Sequence, residues 1–272
     1  MGRSIGAFYK KAPVDLNVMK EVTAVRISIF VFLAFISTSC CTSARSETWP
    51  ADKIAVSLSY DDAIESQLNH ALPALNEHGF KASFYVVPAS EVFQARLFEW
   101  RALAKQGHEL GNHTLKHSCR GSLLGREWVE AERDLDKQSV AQLVTEVRIT
   151  NTLLQALDGK TQRTLTLPCG DTLAGGESFV ELIAQEFVAI KTLETPKGFS
   201  ITHVPVNLTG EQLIALLTPV DESTRLINLI FHGIGGDYLS VSKDAHAQLL
   251  AFLANNQDQY WVDSYLNIMN AK

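Results

Sequence analysis

The sequence predicts an α/β fold built on a parallel sheet of seven or eight strands, and three observations lead there. Strand-like and helix-like stretches alternate from residue 54 to the C-terminus, the pattern of a sheet crossed by helices. The first strand begins the run IAVSLSYDDA (54–63), in which Ile54, Val56 and Leu58 alternate with small residues, so both faces can be covered. That strand ends in two adjacent acids, Asp61 and Asp62, at the carboxyl edge where parallel α/β folds gather reactive groups. Alternation alone allows an open doubly wound sheet or a closed barrel.

Each later element has its own local signal. A helical stretch from Gln67 ends at Gly79, a residue suited to the left-handed position after a helix. ASFYVV (82–87) reads as the second strand. A helix from Phe93 to Gln106 stops at Gly107, and a third strand, Glu109 to Asn112, delivers His113. Residues 118–138 are polar and glycine-containing and read as an insertion able to line a substrate groove. Ser139-Val-Ala-Gln142 is a capping box that opens a helix to about Leu157, before Gly159. Thr164 to Leu167 is a short strand leading into a Pro168 loop. A helix near Ser178–Gln185, strand Phe187–Lys191 and a short strand at 203–206 follow. A second capping box, Thr209 to Gln212, opens a helix to Leu217. Leu226–Phe231 is strongly β-forming and ends at His232; Ser242 caps a long helix to Asn255, and Tyr260–Ser264 is the last strand.

Charge is uneven along the chain. Residues 1–45 carry six Lys/Arg against two acids, which leaves 18 basic and 28 acidic residues in the remainder, a net of −10. A domain so acidic is poorly suited to nucleic acid or another polyanion and better suited to a neutral substrate. The basic front end has its own explanation. Ile27 to Ile36, ISIFVFLAFI, is a ten-residue apolar run preceded by Lys20 and Arg26. It is shorter than the roughly 20 residues of a membrane span and suits the hydrophobic part of an export signal. Small residues and then Cys40 and Cys41 follow, as at a lipoprotein cleavage site, although Ser37 or Thr38 stands where an aliphatic residue is usual. Met19 reads as the true start. The chain is therefore divided into an N-terminal extension and export segment (1–46) and a folded domain (47–272). The expected location is the periplasm, as a lipid-anchored or free protein, or the secreted fraction, with membrane contact only through the signal or lipid anchor.

The chemistry begins with electrostatics. Adjacent carboxylates repel unless a cation holds them, and a divalent cation needs further ligands. HELGNHTLKH (108–117) supplies His113 and His117 four apart, a spacing that puts both imidazoles on one face of a helical turn. One carboxylate and two histidines with open positions make a catalytic rather than a closed structural metal arrangement. The other carboxylate is then free to act as a base. Taken singly, an Asp-Asp pair is usually a solvated turn and a His-x-x-x-His a helix face. It is their occurrence together, in this order, at strand ends that points to a metal site.

These motifs resemble those of the polysaccharide deacetylases, the NodB-homology domain or carbohydrate esterase family 4. SYDDA (59–63) stands where that family has TFDDG, HTLKH (113–117) fits its H-[ST]-x-x-H motif, LPCGD (167–171) resembles its R-x-P-[FY]-G loop, and LINLIFH (226–232) its late L-x-H strand. The resemblance runs from about residue 53 to the C-terminus. It implies a distorted (β/α) barrel, with Asp62, His113 and His117 as ligands to a divalent metal, most naturally Zn2+. It makes Asp61 the general base, with a backbone N–H in the Pro168–Gly170 loop, that of Cys169, stabilising the oxyanion. His232, at a strand end, is the natural general acid, and Gly233, Gly235 and Gly236 after it would let backbone approach substrate. Cys119 and Cys169, each beside a motif, are candidates for a disulfide in an exported protein; free thiols or metal thiolates are the alternatives.

Three departures from the pattern matter. Thr166 occupies the position of the motif arginine that usually partners the catalytic Asp, leaving Arg163 or Arg148 as possible substitutes. Ala63 replaces a glycine, so a positive φ there is strained. No counterpart is evident for the Asp-Trp pair that orients the catalytic His; His203 is a weak candidate participant. The expected function is a metal-dependent hydrolase that removes N- or O-linked acetyl groups from a carbohydrate. The rival readings are an allantoinase-like hydrolase of a small cyclic amide on the same fold and a catalytically silent carbohydrate-binding protein.

Overall fold

The computed structural model describes residues 48–192, 199–219 and 222–272. The proposed export segment lies outside them. Strand β1 (Ile54–Asp61) is the centre of the sheet. It pairs in parallel with β2 (Ser83–Val86) through residues 59–61 and with β9 (Leu226–Phe231) along its other edge. Its first half also pairs with β10 (Tyr260–Asp263). Outward from β2 come β3 (Glu109–Asn112), β4 (Thr164–Thr166) and β7 (Ala189–Lys191); outward from β9 comes β8 (Ser200–His203). All eight strands pair in parallel, and the sheet curls into a half-barrel. No ladder joins the end strands β7 and β8 among the described residues.

The alternation in β1 explains the layering. Successive strand side chains face opposite ways. Val56, Leu58 and Tyr60 join Phe84, Val86, Leu110, Ile227, Leu229 and Phe231 in one apolar layer. Helices cover it: α1 (Leu72–Glu77), α3 (Leu97–Lys105), α6 (Gly210–Ala215) and α7 (Lys243–Asn255) contribute Leu75, Leu103, Leu213 and Leu249. The opposite face of the strands lines the inside of the half-barrel and is polar. Ser57, Ser59, Asp61, Ser83, Glu109, Thr164 and Lys191 all lie there, each buried. Buried polar groups need partners, and they find one another: Glu109 accepts from Ser83, Thr164 and the Leu266 N–H, and Lys191 Nζ donates to Ser57 Oγ at 3.0 Å and to Ser59 Oγ.

Both expected capping boxes form. Ser139 caps α4 (Val140–Asp158), which ends at Gly159 with φ 76°, and Thr209 caps α6. Several boundaries differ from expectation. The helix expected over 93–106 is two, α2 (Glu91–Ala95) and α3, because Arg96 leaves helical geometry (φ −113°, ψ 28°). The helix expected near Ser178–Gln185 is the short α5 (Val180–Ile183), and the strand expected at 203–206 lies earlier, at β8. Two elements had no sequence signal strong enough to reveal them: a two-residue hairpin, β5 (Leu173–Ala174) with β6 (Glu177–Ser178), and a last helix, α8 (Tyr265–Asn270). Gly233 does not present backbone to a ligand, since a Cβ there would come within 2.1 Å of the Gly236 carbonyl; its smallness packs the loop after β9 against itself.

Candidate metal centre

The site sits at the carboxyl ends of β1, β3, β4, β7 and β9. β1 carries Asp61, and Asp62 and Ala63 follow it with φ of 84° and 57°. These values turn the chain sharply off the strand, at the conformational cost expected where a glycine is absent. The Asp62 N–H is held by the Tyr85 carbonyl at 3.0 Å. Gln67 Nε2 donates to the Asp61 carbonyl and, at 3.3 Å, to that of His232, tying the two strand ends together.

His113 follows β3 directly, but residues 113–117 are not a helical turn. Thr114 and His117 have positive φ (60° and 55°), the Thr114 N–H is held by Asn112 Oδ1, and the His117 N–H by Thr114 Oγ1. The loop therefore achieves by side-chain hydrogen bonding what the i,i+4 spacing suggested a helix would do. The two imidazole centroids lie 4.9 Å apart.

The ligand geometry converges on Asp62. Its Oδ1 lies 3.2 Å from both His113 Nε2 and His117 Nε2. Its Oδ2 accepts from Tyr238 Oη at 2.9 Å and is 3.8 Å from His232 Nε2. His113 Nδ1 is 3.0 Å from the Thr166 carbonyl and 2.7 Å from the Thr166 hydroxyl, so its second nitrogen is free to face Asp62. Fixing one ring nitrogen by a hydrogen bond is how metal-ligating histidines are commonly oriented. Asp62 Oδ1 has no conventional hydrogen-bond partner although it is buried. The donor atoms of Asp62, His113 and His117 all lie within 4.8 Å of one another. An orphaned carboxylate oxygen facing two imidazole nitrogens fits a divalent cation such as Zn2+.

Electrostatics separates the two acids. Burial raises the Asp61 carboxyl above its usual range, against the pull of His113 and His232. Burial opposes ionisation of Asp62 too, but the imidazoles of His113 and His117 facing it hold it well below the usual carboxylate range. Asp61 Oδ2 is 3.9 Å from His113 Nε2, and its Oδ1 is buried without a partner. Neighbouring carboxylates thus have different surroundings, as an acid–base site requires.

Asp61, His113, His117, Thr166, Cys169, Gly170, Lys191 and His232 line one cavity of about 180 Å³. The Pro168–Gly170 turn brings Cys169 into it with φ 58°. Cys119 and Cys169 are joined by a disulfide with Cα atoms 5.9 Å apart, pinning that turn to the segment after His117. Outside it lies a wider groove of about 840 Å³ lined in part by Trp128, Glu130, Arg133, Tyr238 and Leu239. The insertion 118–138 forms one wall of it, is anchored by Arg126 on Asp171 and is braced internally by Arg120 on Asp136.

The suggested substitutes for the motif arginine go elsewhere. Arg163 pairs with buried Asp158, and Arg148 with Glu186 on the surface. His203 lies in β8 opposite Leu229 and is outside the cavity lining. His232 Nδ1 is buried with no partner among the described residues, in keeping with the missing Asp-Trp pair. Sequence reasoning missed Gln67, Tyr238 and Lys191. Only Lys191 had a visible signal, a cation closing the apolar run FVAIK at a strand's carboxyl end. Burial pushes its ammonium down to about 7, with Asp61 and Glu109 acting against the shift.

Comparisons with known proteins agree with this geometry. Residues 49–177 match the family model described as polysaccharide deacetylase. A gellan lyase from a Bacillus species is 26% identical over 263 residues, covering 83% of this chain; the chain spans about 10% of that enzyme's length. Among solved structures, the peptidoglycan deacetylase PdaC from Bacillus subtilis is 17% identical with a TM-score of 0.54, covering 81% of this chain and 92% of that one. BA3943 of Bacillus anthracis, a CE4 family pseudoenzyme, is 15% identical with a TM-score of 0.53, covering 80% and 66%. At these identities the structural likenesses establish the fold.

Proposed function

Because residues 49–177 match the polysaccharide deacetylase family model, we propose that this chain is a metal-dependent hydrolase that removes acetyl groups from a carbohydrate. The observation that carries the reading is the convergence of buried Asp61, Asp62 and His113 with His117 and His232 at the strand ends, beside a groove wide enough for a glycan. Asp62, His113 and His117 would hold the cation, which we take to be Zn2+. When bound, it supplies Lewis acidity toward the acyl oxygen and the attacking water. Asp61, with its pKa raised by burial, receives the proton of the attacking water. The Cys169 N–H, in the Pro168–Gly170 turn of the same cavity, donates to the developing oxyanion, a contribution worth roughly 10²–10³ in rate. His232 then gives a proton to the departing amine or alkoxide. Trp128 and Tyr238 offer aromatic faces to sugar rings in the outer groove.

The same reading includes export, supported by the apolar run Ile27–Ile36 and by a disulfide suited to an oxidising compartment. The deciding experiment is acetate release from chitin oligomers, acetylated xylan and peptidoglycan, with and without a chelator. Release from at least one substrate, lost with the chelator and restored by Zn2+, is expected. Glycan binding without acetate release would instead favour a silent binding protein, and turnover of allantoin alone would favour the cyclic-amide reading.

A further inference from the structure

Asp61 lacks the arginine that the motif would place at Thr166, and the structure contains a different cation nearby. Lys191 on β7 is the register partner of Thr166 on β4. Adjacent strands are about 4.8 Å apart, and a lysine's four-carbon stem can bridge such a gap. Its Nζ donates to Ser57 Oγ at 3.0 Å and to Ser59 Oγ. Residues 57, 59 and 61 share the inward face of β1 by strand periodicity, so the ammonium is anchored on the face that carries Asp61. Lys191 is 3% exposed and Asp61 4% exposed, and both line the cavity of about 180 Å³. No other lysine or arginine lines that cavity among the described residues. The rings of Tyr85 and Tyr265 flank the ammonium at 5.2 and 4.3 Å, fixing its height in the half-barrel.

We propose that Lys191 is the positioning residue for Asp61, a cation on the strand beside Thr166 that reaches across the inside of the half-barrel to β1, compensates the buried carboxylate and holds it toward the attacking water. This role rests on the deacetylase reading for its catalytic consequence, but the charge pairing itself does not. The other buried charge on this face, Glu109, is already met by Ser83, Thr164 and the Leu266 N–H. Asp61 and Glu109 both act on the Lys191 ammonium, and Asp61 is the one with an oxygen left unpartnered.

A double-mutant cycle on the purified, metal-loaded chain separates these roles. Lys191→Met, which keeps the stem and removes the charge, should lower the urea midpoint in the Asp61 background and much less in the Asp61→Asn background. Equal losses in both backgrounds overturn the pairing, and a loss relieved by Glu109→Gln instead assigns the lysine to Glu109 and overturns it as well. If the Met variant does not fold, Lys191→Gln serves in the same cycle. In parallel, Lys191→Met should lower kcat for acetate release at least tenfold with KM and metal content unchanged, and Lys191→Arg should recover most of the loss. Wild-type kcat in the Met variant, or loss of metal with activity, overturns the positioning role. A wild-type chain that releases no acetate defeats the deacetylase reading while the stability cycle still decides the pairing.

Discussion

At the scale of single residues, Asp61 and Asp62 illustrate how a shared peptide bond can separate two roles. The turn at Asp62 and Ala63, with φ of 84° and 57°, aims one carboxylate into the ligand cluster and leaves the other on the strand's inner face. Asp62 touches both imidazoles, whereas the shortest His contact of Asp61 is 3.9 Å. Asp61→Asn should therefore keep bound metal while lowering kcat about 10²–10⁴-fold, the usual range for a general base. Asp62→Asn should weaken metal binding, with activity partly restored by excess Zn2+. Metal content and turnover measured on both variants check the division; metal lost from the Asp61 variant and kept by the Asp62 variant would reverse it.

At the scale of elements, the segment after His117 and the Pro168 turn act as one unit because a disulfide spans 50 residues between them. In the chain-entropy account, closing a loop of that length stabilises the fold by roughly 4 kcal/mol. Cys119→Ser with Cys169→Ser should lower the urea midpoint accordingly and reduce kcat, since Cys169 lies in the oxyanion turn and Cys119 Sγ is 3.7 Å from His117 Nδ1. An unchanged kcat in the double variant would mean that Arg126, which holds Asp171 and the Cys169 carbonyl, keeps the turn in place alone. Elements with strong local grammar were legible in the sequence: two capping boxes, the glycine after α4, and the largely apolar run of β9. Those set by tertiary contact were not. β5 and β6 pair only two residues each, and the break at Arg96 coincides with ion pairs to Glu65 and Glu99 that no periodicity encodes. The residues of the site were likewise legible where a motif carried them. Lys191 and Tyr238 belong to it only because the sheet curls, and strand order is what brings Lys191 beside Thr166.

At the scale of the whole molecule, the sheet separates a polar interior that serves the site from an apolar exterior that serves stability, and buried histidines on the apolar side make that stability depend on pH. His246 on α7 is 1% exposed, shares a hydrogen bond with Tyr60 Oη through Nε2 at 2.7 Å and meets the Phe231 ring edge-on. Burial pushes it down to about 4, and burial does the same for His108 beneath the Phe84 ring. In the unfolded chain both would titrate near 6.5. Between pH 6.5 and 4 the unfolded state binds protons that the folded state refuses. Stability is therefore full above about pH 6.5, falls as the pH drops, and levels off near 4. Each histidine contributes up to about 3 kcal/mol to that loss, from the span between the two pKa values. Carboxylates such as Asp136, held at about 2 by the Ser122 N–H and Arg120, act in a lower window, between about pH 4 and 2. His113 works in the opposite direction in the ion-free chain, since Asp61 and Asp62 raise it despite burial. Wild type and variant must therefore be compared in the same metal state. His246→Gln, which keeps a hydrogen-bonding group for Tyr60 but cannot take a proton, should flatten the loss between pH 6.5 and 4 when urea midpoints are measured across that range. A variant whose midpoint falls as steeply as that of the wild type would show that His246 does not set the acid limit of the fold.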